Sequence, residues 1–118
     1  MRRALLLVVL LAAGCGGSDG GSERPVVDPA TAIGLNGDDV IVRGFFSHDP
    51  GESLPQMCGA LAESYPPTCS LPSLPVSNLS DGAERALGLT RDPETGGRWS
   101  TGEVELSGRI ENGALVVQ

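Results

Sequence analysis

The chain of 118 residues contains no lysine. Its eight basic residues are all arginine, set against fifteen acidic ones, for a formal charge of −7. Clustered Lys and Arg hold phosphate backbones and adhere to anionic lipid, so this balance argues against both partners. Aromatic residues are nearly as scarce: Phe45, Phe46, Tyr65 and Trp99 are the full set. Stacking of single-stranded nucleic acid needs such rings inside a basic groove, and the basic groove is missing. With His48 as the one histidine, a Ser/His/Asp relay has a single possible base, and no serine sits in a G-x-S-x-G elbow. There is no phosphate-cradling loop, no C-x-x-C, and no EF-hand spacing around Asp38-Asp39 or Asp92/Glu94. The expectation is a protein without catalytic activity and without a cofactor.

Long apolar runs are also lacking. The longest, Ala4 to Ala13, has ten residues, about 15 Å of helix and half the thickness of a bilayer's hydrocarbon. It follows Arg2-Arg3 and precedes Gly14-Cys15, the order of a removable secretory signal. Leu11-Ala12-Ala13-Gly14-Cys15 resembles a bacterial lipobox. That resemblance implies a diacylglyceryl group on the Cys15 thiol and cleavage that leaves Cys15 as the first residue. Ala12 departs from the leucine more often found there. Multiple acyl chains on Cys15 would anchor the chain firmly, at about 0.8 kcal/mol per buried methylene. Residues 1–14 are thus expected to be a signal peptide and 15–24 a Gly/Ser-rich tether reaching roughly 15–18 Å. Residues 25–118 make one small domain. Without Arg2 and Arg3 the remainder carries six basic and fifteen acidic residues, a charge of −9.

With Cys15 assigned to lipid, Cys58 and Cys69 remain, in an oxidising compartment where disulfides persist. A bridge between them closes a loop of twelve residues and stabilises by roughly 3 kcal/mol in the chain-entropy picture. A two-thiolate metal site would want further Cys or His nearby, and a redox pair would show C-x-x-C.

Local signals give a mainly β domain with short helices. Asp28-Pro29 caps a short helix that Gly34 stops, and Asn36-Gly37 turns the chain. Val40–Phe46 reads as a strand with Val40, Val42 and Phe46 on one face, and Gly44 within it suggests a bend. A polar turn is expected over 47–52. A short strand is expected over 54–58, confined to an edge by Pro55. A turn of helix is expected over 59–64, then a strand over 73–79. A second helix capped by Asp81 and a loop over 91–99 follow. Alternation at Val104, Leu106, Gly108 and Ile110, then Asn112-Gly113 and Ala114–Val117, is a hairpin.

The strand over Gly37–Gly44, the two cysteines, the small helix and the closing hairpin together look like a small OB-like five-stranded barrel with one disulfide. Val42-Arg43-Gly44-Phe45, the Cys58–Cys69 segment, and Trp99 ahead of Val104–Gly108 resemble uncharacterised actinobacterial lipoproteins. The resemblance carries no activity with it. The function expected is a lipid-anchored binding or accessory module on the extracytoplasmic face of the cell membrane. Its membrane contact is the lipid on Cys15, and its partner is an envelope protein met by the rigid Cys58–Cys69 loop through Leu61, Tyr65, Pro66 and Pro67. The alternatives are a small-ligand or divalent-cation carrier, with His48, Asp49 and Glu52 as candidate ligands, and an envelope hydrolase, for which the sequence supplies no residue.

Overall fold

The computed structural model describes residues 24–118; Cys15, the signal segment and all of the tether except Arg24 lie outside the described residues. Ten elements follow in order. They are β1 (Val26–Val27), α1 (Pro29–Ala32), β2 (Asp39–His48), β3 (Gln56–Cys58), β4 (Ser73–Ser77) and α2 (Asp81–Arg85), then β5 (Thr90–Arg91), β6 (Arg98–Trp99), β7 (Val104–Glu111) and β8 (Ala114–Val117). Among the described residues no helix is long and apolar enough to cross a membrane.

β2 is the spine. Its β-branched and aromatic residues favour a pleated, half-buried surface, and it takes strand partners on both sides. β7 runs antiparallel to it from Asp39↔Arg109 to Gly44↔Val104, and beyond that β6 takes over at Ser47↔Trp99 and His48↔Arg98. On the other side β1 pairs in parallel at Ile41 and Val42, and β3 continues antiparallel from Phe45↔Cys58 to Ser47↔Gln56. β3 then pairs with β4, β4 with β8, and β8 with β7, which closes a ring of five strands. In chain order the ring runs first, second, third, fifth, fourth and back to the first. Its third and fifth members are parallel. This is the OB-like barrel that the hairpin and the bent strand imply.

The interior is filled by Val40, Val42, Phe46, Met57, Leu74, Val76, Leu106, Ile110 and Leu115, with Ala32 of α1 at one end. Phe46 is fully buried while Phe45 is only half-buried, as the period of two requires. Helix α1 forms where expected, with the Asp28 carboxylate accepting from the Thr31 N–H at 2.7 Å. Gly44 lies under this helix: a Cβ there would come within 2.7 Å of the Cys58 carbonyl oxygen and 2.8 Å of the Pro29 side chain. Close approach of β3 and α1 is therefore why glycine is needed in the strand. At the final hairpin Asn112 and Gly113 have φ of 54° and 75°, the pair of left-handed residues a two-residue turn requires.

Several local expectations are corrected. β2 does not stop at Phe46 but extends through Ser47 and His48, because β6 is there to pair with it. Pro55 does not make β3 an edge. It precedes the strand, so its missing N–H costs no ladder bond, and its carbonyl accepts from Val76 at 2.9 Å. Ser80, not Asp81, caps α2, its hydroxyl accepting from the Ala83 N–H at 3.1 Å. The segment expected to be loop over 91–99 contains the β5–β6 hairpin.

Candidate functional site

Cys58 and Cys69 are bonded, with Cα atoms 5.6 Å apart. The residues between them do not form the expected turn of helix. Six helical residues would carry the chain roughly 9 Å outward, leaving only 65–68, with two prolines, to bring it back. The segment instead folds onto itself: the Ala62 N–H donates to the Thr68 carbonyl at 2.7 Å and the Ser70 N–H to the Ala60 carbonyl at 3.1 Å. The Cys69 N–H donates to the buried Ser47 hydroxyl at 3.2 Å, which ties the loop to β2.

Of the four contact candidates, the loop presents one to solvent. Tyr65 is 75% exposed, and its ring meets that of Trp99 in a T-shaped arrangement with centroids 5.8 Å apart and planes at 78°. Leu61, Pro66 and Pro67 are half-buried, and Pro66 lies over Gly97. Leu71, just past the disulfide, is 87% exposed. It lies outside the Cys58–Cys69 segment, and a leucine between Ser70 and Pro72 is its only mark in the sequence.

His48, Asp49 and Glu52 do not converge. The Asp49 carboxylate accepts from the Gly51 N–H at 2.9 Å in its own turn, and Glu52 is exposed. Among the described residues no three His, Cys, Asp or Glu side chains gather as metal ligands. His48 faces the other way. Its Nδ1 lies 3.1 Å from Glu84 of α2 and 2.9 Å from Nη2 of Arg98, and Arg98 reaches the same Glu84 oxygen at 2.9 Å. A guanidinium only donates, so a bond from Arg98 to Nδ1 puts the ring proton on Nε2. A proton on Nδ1 goes to Glu84 instead. In both arrangements Arg98 keeps the carboxylate paired.

Glu84 is the one buried residue of α2, so the helix is seated by an ion pair rather than by an apolar stripe. Removing one partner of a buried pair costs about 3–5 kcal/mol where the survivor has no water. Here Arg98 is 38% exposed, so Glu84→Ala is expected to cost about 2 kcal/mol, with Glu84→Gln intermediate. Urea midpoints of the two variants check this; equal stability with the parent would show that α2 is held by Leu79 and Leu87 alone.

Arg98 belongs to the β5–β6 hairpin, whose turn is organised by Asp92. The Asp92 carboxylate accepts from the Thr95 hydroxyl at 2.8 Å and from the Glu94 N–H at 3.2 Å. These bonds, the Thr95 hydroxyl first, hold the Asp92 carboxyl below its ordinary 3.8. A lowered folded-state pKa contributes stability that is present above the unfolded value and is lost as pH falls through the folded one. The advantage of the parent over Asp92→Asn should accordingly be present above about pH 4 and shrink below it. Thermal melts from pH 6 downward test this, and a gap that stays constant into acid would remove the assignment.

Between α2 and the β5–β6 hairpin lies a cavity of about 440 Å³ lined by Asp81, Glu84, Arg85, Gly88, Leu89, Arg91 and Arg98. A second, of about 10 Å³ between His48 and Pro66, has room for one water at most. None of the arginines in the larger cavity is legible as a site, because nothing in the local sequence joins residues 85, 91 and 98. No protein-family model, no curated protein and no solved structure matches the chain.

Proposed function

We propose that this chain is a non-catalytic binding module, lipid-anchored through Cys15 on the extracytoplasmic face of the membrane, that meets an envelope protein through its disulfide-braced loop. The observation that carries the reading is Tyr65: a large aromatic side chain, 75% exposed, fixed from one side by the Trp99 ring and from below by a covalently closed loop. Tyrosine supplies contact area at low conformational cost, and a braced backbone lowers the entropy lost on association. With Leu71 exposed beside the same disulfide, the partner surface that fits is an apolar pocket able to take an aromatic ring.

The test uses the full chain in intact cells, with a photo-crosslinking amino acid placed at Tyr65 and, as a control, at Thr101. One dominant envelope protein captured from position 65 and not from 101 is the expected result. Equal capture from both positions, or none from 65, overturns the reading. Cys15→Ser tests the anchor separately: the chain should leave the membrane fraction and lose its incorporated lipid label.

A further inference from the structure

We infer that the cavity between α2 and the β5–β6 hairpin binds a small organic monocarboxylate. The inference is independent of the loop surface proposed above and rests on where the positive charge of the domain has gone. Residues 24–118 contain six arginines and no lysine. Arg43 and Arg109 bond to Glu105 and Asp39 directly across the β2–β7 ladder, and Arg24 donates to Gln118. The other three, Arg85, Arg91 and Arg98, all line this one cavity. In a strongly acidic chain that convergence makes a local positive site, and a concave wall focuses its field.

The three guanidiniums are not equivalent. Arg98 is committed to the buried Glu84, which fixes its position from α2, and its Nε–H is buried without a partner among the described residues. Arg85 and Arg91 are exposed and form no ion pair among the described residues. Their forked donors are the part free to take a planar carboxylate in two parallel bonds. Glu84 and Asp81 offset two of the three positive charges, so the cavity carries a net charge of about +1, which suits a single negative charge better than a phosphate dianion. Exposed Asp81 offers an acceptor to a hydroxyl on the same ligand, and Leu89 supplies an apolar wall. The volume of about 440 Å³ is that of a small-ligand site.

The experiment is an amide chemical-shift titration of the ¹⁵N-labelled full chain in detergent with L-lactate as the probe. Methyl lactate, which has the hydroxyl but no carboxylate, and inorganic phosphate serve as comparisons. The expected result is saturable shifts at Gly88, Leu89, Arg91 and Arg98 with lactate. Methyl lactate should give none there, and Arg85→Gln with Arg91→Gln together should weaken the lactate affinity at least tenfold while peak dispersion is retained. Three outcomes each overturn the inference: no saturation with lactate, equal shifts with the ester, or saturation with phosphate alone. Unaltered lactate binding in the double variant overturns it too. None of these outcomes bears on crosslinking from Tyr65.

Discussion

Gly108→Ala is expected to destabilise the barrel by about 3 kcal/mol, at the upper end of what over-packing costs. Gly108 lies midway along β7, paired with Val40 of β2 on one side and Val117 of β8 on the other. A Cβ at this position would approach the Val116 carbonyl oxygen to 2.2 Å and its carbonyl carbon to 2.8 Å. Both are backbone atoms of the neighbouring strand, so no side-chain rotation relieves the contact and β7 must part from β8. That seam carries the buried Ile110↔Leu115 pair, and β8 is also the strand that closes the ring onto β4. Gly44→Ala should cost less, since one of its close neighbours, Pro29, sits on a four-residue helix that can shift. Gly102→Ala, with nothing within 4 Å of the added carbon, is the control. Urea unfolding of the three variants should rank them in that order. Equal costs at 108 and 102 would show that the barrel relaxes freely at its tightest point.

The same glycine shows what a sequence can and cannot convey. Alternation at Val104, Leu106, Gly108 and Ile110 marks β7 as a half-buried strand, because one face meets the core and the other meets water. Asn112-Gly113 marks its turn. Asp28-Pro29 marks the start of α1, since the cap bonds to a residue only three positions on. These are local bonds and local periods, and they are legible. β1, β5 and β6 have two residues each, too few to show any period, and exist because a longer strand or each other lies alongside. Ser47 and His48 read as turn because they are polar, yet Ser47 is buried, where its hydroxyl meets the Cys69 N–H. Tertiary partners satisfy the polar groups that local reading takes as signs of solvent. The arrangement of His48, Glu84 and Arg98 is the extreme case, with partners 36 and 50 residues away from His48. A lone histidine next to Asp49 invites a metal reading from the sequence; the fold turns it toward α2 instead.

Replacing Cys58 and Cys69 together with alanine is expected to cost about 3 kcal/mol, the loop-closure entropy of a twelve-residue ring in the unfolded chain. For a domain of this size that is a fall in melting temperature of roughly 12–20 °C. A second effect belongs to the folded state. Without the bond, the loop is held by a few backbone bonds of its own, the Ser70 hydroxyl bond to the Ala60 carbonyl and the Cys69 N–H to Ser47 contact. A loop held by so few hydrogen bonds opens readily. Tyr65 then leaves the Trp99 ring. Trp99 is the only tryptophan in the chain, and it is 8% exposed with Tyr65 in place, so its emission reports this loop directly. The double variant, measured well below its melting temperature, should show red-shifted tryptophan emission as well as the lower melt. A lower melt with unchanged emission would mean that the bond acts on the unfolded chain alone and that the loop keeps its shape without it. In that case crosslinking from position 65 should survive in the double variant. If emission shifts, capture should fall with it, because the partner would then have to order the loop at its own expense in binding energy.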